Sequence, residues 1–174
     1  PVDHLQGNPI LTSYYREKYA DKLDEFVAVS PDLGSVGRTR SFATRVDIPI
    51  AIIDKRRPKA NVSEIMNIIG NVDGKRVILV DDMIDTAGTI CNAARALMER
   101  GAIEVDACCT HPVLSGPAID RIQDSPINEL VVLNTIELPP EKKISKIKEL
   151  SVAPIFADAI NRIHEGISIS KLFD

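Results

Sequence analysis

Short aliphatic runs recur along the chain and alternate with segments whose apolar residues have helical spacing. An aliphatic run of four to six residues is typical of a parallel strand that is covered on both faces. The runs predict strands at 26–29, 48–53, 77–80, 105–110 and 130–133. The helical spacing predicts helices at 9–22, 38–46, 89–100, 117–123 and 154–165. This alternation predicts an α/β domain with a mostly parallel sheet flanked by helices.

Acidic residues follow three of the predicted strands. They are Asp32 after the first strand, Asp54 after the second, and Asp81, Asp82 and Asp85 after the third. Ligands of open α/β sheets bind at the carboxyl ends of the strands. The pattern therefore predicts a site for a polyhydroxylated, metal-bound phosphate compound at that edge of the sheet.

The strongest local signal is the segment 77–89, VILVDDMIDTAGT, in which a strand and two acids precede a turn that opens onto a helix. The first N–H groups of a helix lack intrahelical acceptors, so the turn can hold a phosphate. The predicted cradle consists of Thr86, Ala87, Gly88 and Thr89. The carboxylates upstream can accept hydrogen bonds from sugar hydroxyls. The alternative is that Asp85 or Thr86 only caps the helix and the paired acids form a solvated turn.

Four cations lie within the five residues 55–59, KRRPK, directly after the second strand. Such a run predicts an exposed loop, and by itself it is typical of a solvated surface. At a strand end, Lys55 and Arg57 could instead stabilise the charge on a transferred phosphoryl group.

Composition bounds the remaining possibilities. The length of 174 residues predicts one domain, and the net charge of −4 argues against nucleic acid as a partner. No apolar run or leader pattern predicts a membrane span or a signal peptide, so we expect a cytoplasmic protein. The chain begins at Pro1, so we expect a processed chain or part of a longer one.

The histidines and cysteines show no metal-ligand or disulfide spacing. We expect the histidines to have no functional role, and His111, at a strand end, is the one candidate among them for facing the site. We expect Cys91 on the apolar face of its helix and one of Cys108 and Cys109 in the core.

Several motifs together carry a family resemblance. VDDMIDTAGT at 80–89 resembles the phosphoribosyl pyrophosphate signature of the type I phosphoribosyltransferase fold. Taken with VSPDLGSVGRTR at 29–40, IIDKRRPKANVSE at 52–64 and CCTHPVLSGPA at 108–118, it makes the chain similar to bacterial ribose-phosphate pyrophosphokinases over about residues 2–174.

The resemblance implies an enzyme that transfers the diphosphoryl group of ATP to the 1-hydroxyl of ribose 5-phosphate. The products are phosphoribosyl pyrophosphate and AMP, and the cofactor is Mg2+. The resemblance implies that Lys55 and Arg57 are catalytic and that Arg57 also contacts the substrate. It implies that Asp32 binds the metal ion. The implied substrate-binding residues are Asp81, Asp82, Asp85, Thr86, Ala87, Gly88 and Thr89.

Members of this family are about twice as long, so the chain resembles a carboxy-terminal half. We expect it to be inactive without the amino-terminal half, which supplies the ATP-binding residues. Many members also have two adjacent glycines followed by RAR, where this chain has Gly34 and Ser35 and then Arg38, Thr39 and Arg40.

The resemblance further implies a homo-oligomer with a regulatory anion site at Ser168 and Ser170, although a disordered terminus is the simpler interpretation of this tail. Two alternatives for the function stay open. One is a phosphoribosyltransferase that acts on a base, and the other is a regulatory homologue without turnover.

Overall fold

The computed structural model describes residues 2–56 and 65–173, and it is built around one seven-stranded sheet. The strands are β1 Phe26–Ser30, β2 Ile50–Arg56, β3 Ile65–Ile69, β4 Arg76–Val80, β5 Met83–Ile84, β6 Glu104–Cys109, β7 His111–Pro112, β8 Ile127–Leu133 and β9 Ile147–Leu150. The helices are α1 Asn8–Lys18, α2 Val36–Val46, α3 Gly88–Glu99, α4 Ala118–Gln123 and α5 Ala153–His164. Short 3-10 turns lie at Leu23–Glu25, Pro140–Lys142 and Ser170–Leu172.

The sheet has the order β3-β2-β1-β4-β6-β8-β9, and every neighbouring pair is parallel except β2 and β3. Strands β5 and β7 form a separate two-stranded parallel ribbon. The predicted α/β class with a mostly parallel sheet is therefore confirmed. The reversal in chain order beside β1 puts the carboxyl ends of β1 and β4 next to one another, which is where such sheets bind ligands.

Strand β2 runs further than the sequence predicted. Asp54 does not follow the strand but lies within it, and its side chain is buried. Lys55 and Arg56 also belong to β2, where their backbone pairs with Met66 and Ile65 of the antiparallel neighbour. The predicted loop was wrong for these two residues because pairing with β3 extends the strand, and residues 57–59 lie outside the described residues.

The core lies on both faces of the sheet. One face packs against α3 and α4, and the other against α1 and α2. The adjacent residues Cys108 and Cys109 point to opposite faces, and both are fully buried. The expectation that only one of them would lie in the core was wrong, because a strand covered on two sides buries successive side chains alike.

Helix α5 is much less buried than the others. Ala159 is its one buried residue, and an exposed apolar stripe runs along the flank beside it and continues to Ile167, just past the end of the helix. The stripe consists of Phe156, Ile160, Ile163 and Ile167, which are 52%, 64%, 66% and 52% exposed. Within the described residues, no helix has the length and apolar composition needed to cross a membrane.

Candidate functional site

A cleft of about 440 Å³ opens at the carboxyl ends of β1 and β4. Its walls are the loop after β1, the first turn of α2, and residues 81–90 between β4 and α3. The sequence-predicted residues that line it are Asp32, Asp81, Asp82, Asp85, Thr86, Ala87, Gly88 and Thr89. The topology therefore brings most of the predicted site into one cleft.

The turn before α3 forms the base of this cleft. Ala87 has a left-handed backbone (φ +59°). Its carbonyl oxygen accepts a hydrogen bond from the backbone N–H of Cys91, one turn further along α3. The preceding N–H groups lie at the positive end of the helix dipole, as an anion site requires. Among the described residues, no side chain caps α3, so capping does not account for Asp85 or Thr86.

The segment 111–121 supports this turn from behind. Backbone N–H groups of Leu114 and Ser115 donate to the carbonyl oxygens of Ile84 and Asp85, both at 3.0 Å. The Ser115 hydroxyl also donates to the Asp85 carboxylate. Sequence reasoning gave no role to Ser115, because its partner is 30 residues away in the chain.

Two carboxylates and one arginine form the opposite wall. Arg38 of α2 donates from Nη2 to Asp82 Oδ2 at 2.7 Å and approaches Asp81 Oδ1 to 3.5 Å with Nη1. The Asp81 side chain is 15% exposed and that of Asp82 is 56% exposed. Arg38 was missed as a site residue, since it lies on a helix more than 40 residues away from the two acids.

Burial raises the pKa of Asp81 from 3.8 to about 6, and the neighbouring Asp82 carboxylate also raises it. Hydrogen bonds from the Asp82 backbone N–H and the Ser35 hydroxyl oppose this shift, because they stabilise the ionised form. The carboxylate of Asp81 is thus an acceptor that becomes fully charged only near neutral pH.

Asp32 lies in the loop between β1 and α2. The Ser35 backbone N–H donates to its Oδ1 at 2.8 Å, and a Cβ atom added at Gly34 would lie 3.3 Å from the same oxygen. The described residues hold no group of three or more side chains suited to bind a metal ion. A single carboxylate fits Mg2+, which retains water ligands and usually takes one or two protein carboxylates together with substrate phosphates.

Lys55 and His111, which the structure describes, do not line this cleft. Lys55 lies near the carboxyl end of β2, on the same edge of the sheet as the cleft, but it is not one of the residues that line the cleft. Arg57 lies outside the described residues. His111 does not line the cleft either, and its Nδ1 lies 2.9 Å from the Thr135 hydroxyl.

The carboxy-terminal tail returns to the body of the domain. The Ser168 hydroxyl donates to the Ser170 hydroxyl at 3.0 Å, and both side chains are exposed. Phe173 is partly buried, and its carbonyl oxygen accepts a hydrogen bond from Arg45 of α2 at 3.2 Å. The tail is therefore packed at its end, while the two serines stay accessible.

Comparison with known proteins places the chain in a family. The sequence is 64% identical to a ribose-phosphate pyrophosphokinase of Caldanaerobacter subterraneus subsp. tengcongensis and 65% identical to one of Clostridium perfringens, in each case over 99% of this chain and 54% of the relative. The chain thus spans about half the length of these curated relatives.

Solved structures agree with this comparison. A phosphoribosylpyrophosphate synthetase from Mycobacterium smegmatis superposes with a TM-score of 0.86 at 40% identity, over 95% of this chain and 53% of that one. A hypoxanthine phosphoribosyltransferase from Staphylococcus aureus, at 11% identity and a TM-score of 0.50 over 83% of this chain and 70% of that one, shares the fold alone.

The family model described as the phosphoribosyl synthetase-associated domain matches residues 55–174. This match covers more than half of the chain, and it confirms the resemblance predicted from the motifs. The chain belongs to the phosphoribosyl synthetase-associated domain family.

Proposed function

We propose that this chain is the domain of a ribose-phosphate diphosphokinase that binds ribose 5-phosphate, and that it is the carboxy-terminal half of a two-domain enzyme. The observation that carries the proposal is the cleft in which Asp81 and Asp82 lie beside the free amino end of α3. A sugar phosphate matches both parts of the cleft, because its hydroxyls donate to carboxylates and its phosphate accepts from backbone N–H groups.

In this proposal the substrate spans the cleft. Asp81 and Asp82 accept hydrogen bonds from the ribose hydroxyls, and the turn at 85–89 holds the 5-phosphate. The 1-hydroxyl then faces ATP, which is bound by residues of the amino-terminal half. The support for this orientation is that Asp81 lines the cleft with its side chain largely buried, whereas the turn before α3 lies at its base.

The proposed reaction is a diphosphoryl transfer. The 1-hydroxyl oxygen forms a bond to the β-phosphorus of ATP, and the bond from this phosphorus to the oxygen shared with the α-phosphorus breaks. AMP leaves with that oxygen, and the proton of the hydroxyl passes to solvent. Lys55 and Arg57 stabilise the negative charge that spreads over the transferred group, as fixed cations do in phosphoryl transfer.

Asp32 is the proposed holder of Mg2+, which would neutralise charge on the diphosphoryl group when bound. Its donor chemistry fits, because a carboxylate oxygen is a preferred Mg2+ ligand. We also propose a cytoplasmic homo-oligomer for the full-length enzyme, with ATP and ribose 5-phosphate as its substrates.

The test is an assay of the full-length protein with ATP, Mg2+ and ribose 5-phosphate, in which AMP and phosphoribosyl pyrophosphate are separated chromatographically. We expect equal amounts of both products. The chain described here, assayed alone, should bind ribose 5-phosphate in calorimetry and release no AMP. Consumption of phosphoribosyl pyrophosphate with a purine or pyrimidine base, or binding with no turnover by the full-length protein, would overturn the proposal.

A further inference from the structure

Ser35 stands at the last position before α2, where the helix begins. Its side chain is buried, with 5% exposure, and it lines the cleft. We propose that Ser35 is a positioning residue that orients the carboxylate of Asp81 toward the ribose. This inference rests on the function proposed above and adds a residue to its substrate site.

The side chain of Ser35 does not do what a serine at this position ordinarily does. A serine before a helix usually accepts a hydrogen bond from a backbone N–H of the first turn. Within the described residues, Ser35 makes no such bond to α2. Its hydroxyl instead donates to Asp81 Oδ1 and accepts from Arg38 Nη1, both at 3.2 Å. The hydroxyl therefore serves the cleft rather than the helix.

The consequence for Asp81 is a carboxylate with two unlike oxygens. Oδ1 lies near three protein donors, which are the Ser35 hydroxyl, the Arg38 guanidinium and the Asp82 backbone N–H. Oδ2 receives no hydrogen bond from the described residues. With Oδ1 held on the protein side, Oδ2 stays available to accept from a ribose hydroxyl.

Ser35 touches both halves of the proposed site through different atoms. Its backbone N–H holds Asp32 Oδ1 at 2.8 Å, whereas its hydroxyl holds Asp81. Its backbone is in the ordinary right-handed region (φ −88°, ψ 0°), which both serine and glycine adopt. A glycine here would thus keep the backbone bond to Asp32 and lose the hydroxyl with its bonds to Asp81 and Arg38, so the backbone and side-chain roles can be separated by substitution.

The experiment uses the full-length protein and the variants Ser35→Gly, Ser35→Ala and Ser35→Thr. Calorimetry gives the Kd for ribose 5-phosphate, and steady-state kinetics give kcat, both KM values and the Mg2+ concentration for half-maximal activity. We expect Ser35→Gly and Ser35→Ala to raise Kd and KM for ribose 5-phosphate by about 3- to 10-fold, the size of one ordinary hydrogen bond, because the substrate's own contact with Asp81 remains and only its orientation is lost. The kcat, the KM for ATP and the Mg2+ requirement should stay within about 2-fold of wild type, because the substitution weakens only the binding of ribose 5-phosphate.

Ser35→Thr retains the hydroxyl and should keep affinity within about 2-fold of wild type. The matched control is Ser41→Ala, which removes another hydroxyl of α2, one that accepts from Asn8. This control should leave every constant unchanged. Melting temperatures of all variants are measured in parallel and should stay close to that of wild type, because the Ser35 hydroxyl makes no capping bond to α2.

Three results would overturn the inference. They are an unchanged ribose 5-phosphate affinity in Ser35→Gly and Ser35→Ala, a Ser35→Thr variant as weak as Ser35→Ala, or equal losses for ATP and ribose 5-phosphate together with a lower melting temperature. Failure of the proposed function is recognised separately. A wild-type protein that forms no AMP defeats that function, whereas an active wild type with unaffected variants defeats only the role of Ser35.

Discussion

The guanidinium of Arg121, on α4, donates a hydrogen bond from Nη1 to the carbonyl oxygen of Thr86, at 2.9 Å. A Cβ atom added at Gly88 would lie 3.3 Å from the same nitrogen, so the arginine lies directly behind the start of α3. A helix of a different part of the chain therefore fixes the turn that offers its N–H groups to the cleft.

Arg121→Ala should weaken ribose 5-phosphate binding by about 10-fold, because a charged donor to a backbone carbonyl is lost and the turn becomes less ordered. Calorimetry on the variant measures this change. The matched control is Arg95→Ala on α3, whose guanidinium binds the exposed side chain of Asn92 and should leave the affinity unchanged. Equal effects of the two substitutions would contradict a specific role for Arg121.

Lys55→Ala in the full-length enzyme should lower kcat by roughly 100-fold or more and leave ribose 5-phosphate binding nearly intact. This result follows from the proposed role of Lys55, in which its charge acts chiefly in the transition state. Asp81→Ala is the contrasting variant and should instead raise the KM for ribose 5-phosphate. Steady-state kinetics of both variants measure these changes. A raised KM for Lys55→Ala together with a lowered kcat for Asp81→Ala would show that the two roles are assigned wrongly.

Asp81 should make the stability of the domain depend on pH. Since its pKa is raised from 3.8 to about 6 by burial, the folded state keeps the proton to higher pH than the unfolded state. Its contribution to stability is therefore complete below pH 3.8 and is lost as the pH rises through about 6. Urea unfolding between these values should show wild type losing stability relative to Asp81→Asn. A relative gain over the same interval would refute the sign.

Ser168→Ala and Ser170→Ala test the proposed regulatory anion site in the tail. Both hydroxyls are exposed and bonded to one another, and Ser170 N–H also donates to the Ser168 hydroxyl. If they bind a regulatory anion at a subunit boundary, the double variant should lose any activation by phosphate and inhibition by ADP that the full-length protein shows, and it should keep its basal activity. Unchanged responses to both effectors would contradict a regulatory role for the two serines, and the tail would then have only the structural role shown by the packing of Phe173.

The parts of the molecule that could be predicted from sequence are those encoded by neighbouring residues. Aliphatic runs revealed β1, β4 and β8, and the strand, acids and turn of the proposed phosphate site lie within 77–89. Strand β9 was missed because its sequence, IKEL, places charges between two partly buried apolar residues at the edge of the sheet.

Contacts between distant residues could not be predicted in this way. The Ser35 hydroxyl meets Asp81 across 46 residues, and Arg121 meets Thr86 across 35. Asp106 is fully buried in β6, where a charge is unexpected, and it is tolerated because Tyr19 and Asn128 donate to its two oxygens. Such pairings form only once the sheet has folded, and no local sequence pattern predicts them.

The apolar stripe on α5 has a practical consequence for work with this chain alone. Large apolar side chains that are more than half exposed along one side of a helix favour self-association and adsorption to surfaces. Self-association of the isolated chain should therefore rise steeply with its concentration, and dilute protein is the better choice for calorimetry. Ile160→Lys would place a charge in the middle of the stripe and make the chain easier to handle without touching the cleft.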